Sequence, residues 1–219
     1  MKLIISIPLA LGASFLTAAS AMAAPVLMEH TLQGNDCAGV FGMPFASCEI
    51  AYGGVSISPV IAKYDLDDED ENDFTALNNS VEINSALYPS FDGSEISTDL
   101  NAQTWSYNQG ENDPGIRFWV AKGGNYFNLF WYVDSGNQGD CAGNAYNLAC
   151  LQQALVVAEG SWTTPINPNN QKPFGLSHLT FYNSGTPPAL VPEPGSAALL
   201  FSGIMGLFMA RRRRHHLSA

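Results

Sequence analysis

This 219-residue chain predicts an all-β fold, an antiparallel β-sandwich of jelly-roll-like character. Three observations carry that prediction. Apolar and polar residues alternate over short runs of about five to eight residues. Gly, Pro and Asn interrupt these runs at close intervals. Sustained 3.6-residue periodicity is almost absent from the body of the chain, so helices have little to be built from.

The first segment stands outside that fold. Lys2 is followed by the apolar stretch Leu3 to Leu16 and then by small residues ending in Ala21-Met22-Ala23-Ala24. A charged start, an apolar middle and an A-x-A site read as a secretory signal peptide over residues 1–23, handled by the Sec and signal-peptidase machinery. The β ectodomain then spans 24–184, enough for one domain with a sizeable core. Removing both ends sharpens the charge. The whole chain carries −11, but the ectodomain keeps only Lys63, Arg117, Lys122 and Lys172 against nineteen acids, a balance of −15. Such a surface repels nucleic acid and attracts divalent cations, so nucleic-acid binding is set aside.

Residues 24–51 read as irregular, with a turn-rich Gly34-Asn35-Asp36-Cys37-Ala38-Gly39. A similar phrase, Gln138-Gly139-Asp140-Cys141-Ala142-Gly143, stands about a hundred residues later, too short to establish a repeat. The chain's four cysteines, Cys37, Cys48, Cys141 and Cys150, form an even set and allow three pairings. Two local bridges, Cys37–Cys48 and Cys141–Cys150, are favoured. Each would close a short loop and contribute about 2–3 kcal/mol. Zinc binding fits poorly, because no C-x-x-C spacing or nearby histidine is present.

Val55 to Ser58 alternates as a strand, and Val60 to Tyr64 continues or restarts it after Pro59. Asp65 to Asp73 then puts seven carboxylates into nine residues. The plain reading is a solvated acidic loop; the sharper one is a weak Ca²⁺ site at Asp65, Asp67 and Glu69. The loop lacks EF-hand landmarks, since the glycine and glutamate positions hold Asp70 and Ala76. No other cofactor is implied.

Val81-Glu82-Ile83 and Ala102 to Tyr107 read as strands on either side of a turn at Pro89 to Gly93. The strongest signal runs from Gly115 to Val133. Ile116, Phe118 and Val120 share one strand face, with Arg117, Trp119 and Ala121 on the other. Gly123-Gly124-Asn125 supplies a hairpin turn. The return strand carries Phe127, Leu129, Trp131 and Val133 on one face, with Tyr126, Asn128, Phe130 and Tyr132 on the other, which predicts a central strand covered on both sides. Asn147 to Gln153 suits one or two helical turns. Leu155 to Ala158 reads as a strand, with a turn at Glu159 to Trp162. The last strand, Leu176 to Tyr182, sets Leu176, His178, Thr180 and Tyr182 against Ser177, Leu179 and Phe181.

After a linker over 185–191 the tail begins. Pro192-Glu193-Pro194 leads into an apolar segment without charge from Ala197 to Ala210, and then into Arg211, Arg212, Arg213 and Arg214. At about 1.5 Å rise per residue, roughly twenty residues cross a bilayer core of about 30 Å. A helix over about 195–210 is therefore a short span, and the arginines place its end in the cytoplasm and stop transfer. Triplet, helix and basic end, in this order over 192–214, resemble the PEP-CTERM sorting signal of Gram-negative bacteria. The resemblance implies an exosortase that recognises Pro192, Glu193 and Pro194 and cleaves nearby. The protein would cross the inner membrane, be held there transiently, and pass to the cell surface or extracellular matrix. Short phrases within the ectodomain also look like PEP-CTERM ectodomains, and no activity follows from them.

No sequence motif points to catalysis. There is no G-x-S-x-G elbow, H-E-x-x-H helix or phosphate loop, and His30 and His178 read as exposed and packed residues respectively. Paired carboxylates could hydrolyse glycosides, but among nineteen acids any pair can be nominated. The chain therefore reads as a non-enzymatic surface or matrix protein. Two alternatives stand beside it. One is a carbohydrate-binding module for exopolysaccharide, with Trp119 as the candidate contact against a competing core role. The other is a simple membrane-anchored envelope protein.

Overall fold

The computed structural model describes residues 24–66, 80–142 and 146–183. In chain order its strands are β1 (Val26–Gln33), β2 (Glu49–Tyr52), β3 (Val55–Asp65), β4 (Ser80–Ile83), β5 (Ile96–Asp99), β6 (Thr104–Tyr107), β7 (Ile116–Gly123), β8 (Tyr126–Val133), β9 (Glu159–Ser161) and β10 (His178–Asn183). One short helix, α1 (Leu148–Gln152), precedes β9. All strand pairings are antiparallel. The larger sheet has seven strands in the order β1-β8-β7-β10-β3-β2, with β4 also on β3; the smaller has the order β5-β6-β9.

The β7–β8 hairpin forms where the Gly-Gly-Asn turn was expected, with Gly123 opposite Tyr126. Gly124 adopts φ +55°, and a Cβ there would stand 2.5 Å from the Phe174 ring. β8 lies inside the sheet with apolar cover on both faces. Phe127, Leu129, Trp131 and Val133 enter one hydrophobic cluster with Phe118, Val120 and Tyr182. Phe130 enters the other with Trp119, Ala121, Leu179 and Phe181, and Tyr132 packs against it. The first cluster is capped by the two cysteine loops and α1. The second is capped by Ile96, Trp105 and Tyr107 from the smaller sheet, together with Tyr88, Phe91 and Trp162.

Both expected disulfides, Cys37–Cys48 and Cys141–Cys150, are present and span 11 and 9 residues. β3 runs unbroken through Pro59. The Val60 N–H donates to the Cys48 carbonyl at 2.9 Å. By strand alternation the missing proline donor faces the other side, where the register with β10 shifts between Phe181 and Tyr182.

The structure differs from expectation in three places, one being β5, a strand that the sequence pattern did not mark. Residues 24–51 hold β1 and β2 instead of irregular chain. β1 is an edge strand with one half-exposed face, so Glu29, Thr31 and Gln33 look like loop residues until β8 supplies their pairing. Around Leu155 to Ala158 only isolated bridges form, and β9 falls on the expected turn. There Gly160 lets the backbone settle on the Trp105 indole.

Candidate functional site

Strand β10 is buried along its whole length. Its polar residues therefore need partners inside the protein. Period-two geometry puts His178, Thr180 and Tyr182 on one face, and a single carboxylate meets all three. That carboxylate is Asp36, 2% exposed, delivered by the loop after β1 and anchored by the adjoining Cys37–Cys48 bridge. Its Oδ1 lies 3.0 Å from His178 Nε2. Its Oδ2 accepts from the Thr180 hydroxyl at 2.6 Å and from the Tyr182 phenol at 3.4 Å.

Burial works to raise the Asp36 pKa. The His178 hydrogen bond and charge, the Thr180 hydroxyl and the Cys37 N–H outweigh it and hold the carboxyl at about 2. Burial and the charge of Asp36 push the Tyr182 phenol well above its ordinary value. That phenol also lies 3.5 Å from Cys37 Sγ and 3.7 Å from Cys48 Sγ. Lys122 stands opposite His178 in the β7–β10 ladder and is almost fully buried. Its ammonium donates to the Gly124 carbonyl. Burial lowers its pKa while the nearby Asp36 charge works against that. The other His178 nitrogen, Nδ1, is 3.6 Å from Asp65 Oδ1, and Asp65 pairs with Lys63 at 3.0 Å. Over this network lies a groove of about 440 Å³ walled by Ala38, Met43, Pro44 and Phe45, with Lys63 and Glu82 on its rim.

Comparison with protein-family models, with curated proteins and with solved structures returns no match. The chemistry of the site has to be read from its geometry. Both ring nitrogens of His178 face carboxylates, and the Thr180 hydroxyl spends its proton on Asp36. No described contact aims the imidazole at a hydroxyl, so the arrangement lacks the nucleophile–base link of an acyl-transfer relay. What it does well is tie the first disulfide loop to β10.

Of the two roles open to Trp119, sugar contact and core packing, the structure shows the second: the side chain is fully buried. It stacks on Phe130 at 5.8 Å, meets Trp105 edge-on at 5.2 Å, and its indole N–H donates to the Ser161 carbonyl at 2.9 Å. It has no surface left for a sugar. The smaller sheet covers the face that sequence alternation left open. Arg117 is also half-buried, its guanidinium donating to the Ala154 carbonyl at 2.6 Å. His30, expected exposed, is half-buried and stacks on Tyr146 at 4.9 Å. Burial lowers its pKa.

Of the proposed calcium ligands, Asp65 is engaged by Lys63 and His178, while Asp67 and Glu69 lie outside the described residues. Among the described residues no three His, Cys, Asp or Glu side chains are placed so that they could hold one metal ion. Pro192, Glu193, Pro194 and Arg211 to Arg214 also lie outside them, as does the expected signal peptide. Among the described residues no helix is long and apolar enough to cross a membrane.

Sequence reading missed Asp36 and Lys122. The available signal was the polar face His178-Thr180-Tyr182 in an otherwise apolar strand. The two similar cysteine phrases diverge here, for Asp140, the counterpart of Asp36, is exposed.

Proposed function

We propose that this chain is an exported, surface-sorted or matrix-associated protein, processed at Pro192-Glu193-Pro194 by an exosortase. Its β domain serves a structural, non-enzymatic role. The observation that carries the reading is the use of every cysteine in a local disulfide, with no free thiol left. Such bonds form and persist in oxidising compartments. The apolar tail ending in Arg211 to Arg214 supports sorting by way of the inner membrane. The Asp36 network supports a structural role, because its acid, histidine and hydroxyls are consumed by one another.

Mass spectrometry of the mature C-terminus in surface and medium fractions tests the proposal. The expected product ends near the Pro-Glu-Pro triplet. A surface protein that keeps Arg211 to Arg214 would replace sorting with simple membrane anchoring.

A further inference from the structure

The smaller sheet turns a polar face outward, and the geometry points to that face as a binding site for an uncharged oligosaccharide. The ladder pairs Ser97 with Ser106 and Ser106 with Glu159; the next outward row pairs Asp99 with Thr104 and Thr104 with Ser161. Four hydroxyls and two carboxylates thus form two rows, with strands about 4.8 Å apart and outward residues about 6.8 Å apart along each strand. They line a groove of about 530 Å³ that the half-buried Tyr132 ring also borders.

The floor is held rigidly. Trp105 is packed edge-on against both Trp119 and Phe181 at 5.2 Å. β9 rests directly on this indole, because a Cβ at Gly160 would stand 2.7 Å from Trp105 Nε1. Asp99 is set in advance as well: its Oδ1 accepts from the Asn101 and Ala102 amides, each at 2.9 Å. Its Oδ2 makes no bond among the described residues and can accept from a ligand hydroxyl.

Charge selects the ligand class. Among the described residues no Lys, Arg or His lines the groove, and two carboxylates do, so phosphates and acidic sugars are repelled. Asp99 and Glu159 stand at opposite corners. Two strand spacings and one two-residue step put their Cα atoms about 12 Å apart. The hydroxyl residues Thr104, Ser106 and Ser161 lie between and beside the two acids in the ladder. Hydroxyl-bearing rows beside an aromatic ring instead match a neutral polyol, whose hydroxyls bond to the rows while its C–H face meets Tyr132. None of the lining residues belongs to the Pro-Glu-Pro segment, so binding and processing are tested by separate measurements.

The test is calorimetric titration of the full chain, disulfides intact, with neutral glucan, xylan and mannan hexasaccharides and with polygalacturonate as the acidic probe. At least one neutral oligosaccharide is expected to bind, and the acidic one is not. Thr104→Lys, on an exposed position, and Tyr132→Ala should each weaken binding about tenfold, the loss of roughly one well-made contact. Near-UV circular dichroism checks that both variants keep their fold. Absence of binding by every neutral probe, equal binding of polygalacturonate, or unchanged affinity in a folded Thr104→Lys variant would each overturn the proposal.

Discussion

One carboxylate decides how the first cysteine loop sits on the sheet. Asp36 is buried against three donors of β10, so Asp36→Ala removes the acceptor and leaves His178, Thr180 and Tyr182 facing each other without it. Hydrogen bonds to a charged acceptor contribute roughly 1.5–3 kcal/mol, and urea unfolding should show a loss of at least that size. The pH dependence follows from the direction of the shift. The folded carboxyl titrates at about 2 against an ordinary 3.8. The folded state therefore gains from an ionised Asp36 fully above pH 3.8 and loses that gain as pH falls toward 2. A shift of this size is worth about 2 kcal/mol. Denaturation at pH 4 and at pH 2 should show Asp36→Asn losing about 2 kcal/mol less than the parent over that interval. Equal losses would mean that the carboxyl titrates normally.

At the scale of elements, β9 tests how closely the two sheets meet. In Gly160→Ala the new methyl would stand 2.7 Å from Trp105 Nε1 and 2.8 Å from Trp119 Cζ2. Both rings are buried and cannot swing aside, so overpacking should cost about 1–3 kcal/mol. Gly139→Ala, where nothing lies within 4 Å, is the matched control and should change the urea midpoint little.

These elements also mark what the sequence could reveal. Alternation alone located the β7–β8 hairpin and the two-sided cover of β8, because both faces of that strand are apolar. Local spacing likewise picked the right cysteine pairs from three. β1 and β9 escaped, since an edge strand of mixed polarity and a three-residue strand around a glycine acquire their conformation from distant partners. The choice between a core role and a sugar contact stayed open for Trp119 for the same reason. Strand alternation shows that a face exists, whereas the sheet that covers it, β5-β6-β9, comes from other segments of the chain. The Asp36 site was half legible. The polar stripe of β10 showed that a buried partner was needed, but only the fold brings in a residue 142 positions away.

Over the whole molecule, the two disulfide loops share one task. Cys37, Cys48, Cys141 and Cys150 all enter the hydrophobic cluster on the face of the large sheet opposite the smaller one. Among the described residues no second sheet covers that side; its cover is loop and short helix, held by the bridges. Each bridge contributes about 2–3 kcal/mol by limiting the unfolded chain. Domains of this kind are stable by only about 5–15 kcal/mol in all. Reduction of both bonds should therefore remove a large share of that stability and expose Phe127, Trp131 and Leu151 beneath the loops. Urea titration with and without dithiothreitol checks this: the midpoint should fall markedly, with Cys141→Ser/Cys150→Ser alone giving a smaller loss of about 2–3 kcal/mol. A reduced protein that unfolds at the parent midpoint would show that the loops hold without covalent help. The domain would then have no physical need of an oxidising compartment, and the strongest support for export would be gone.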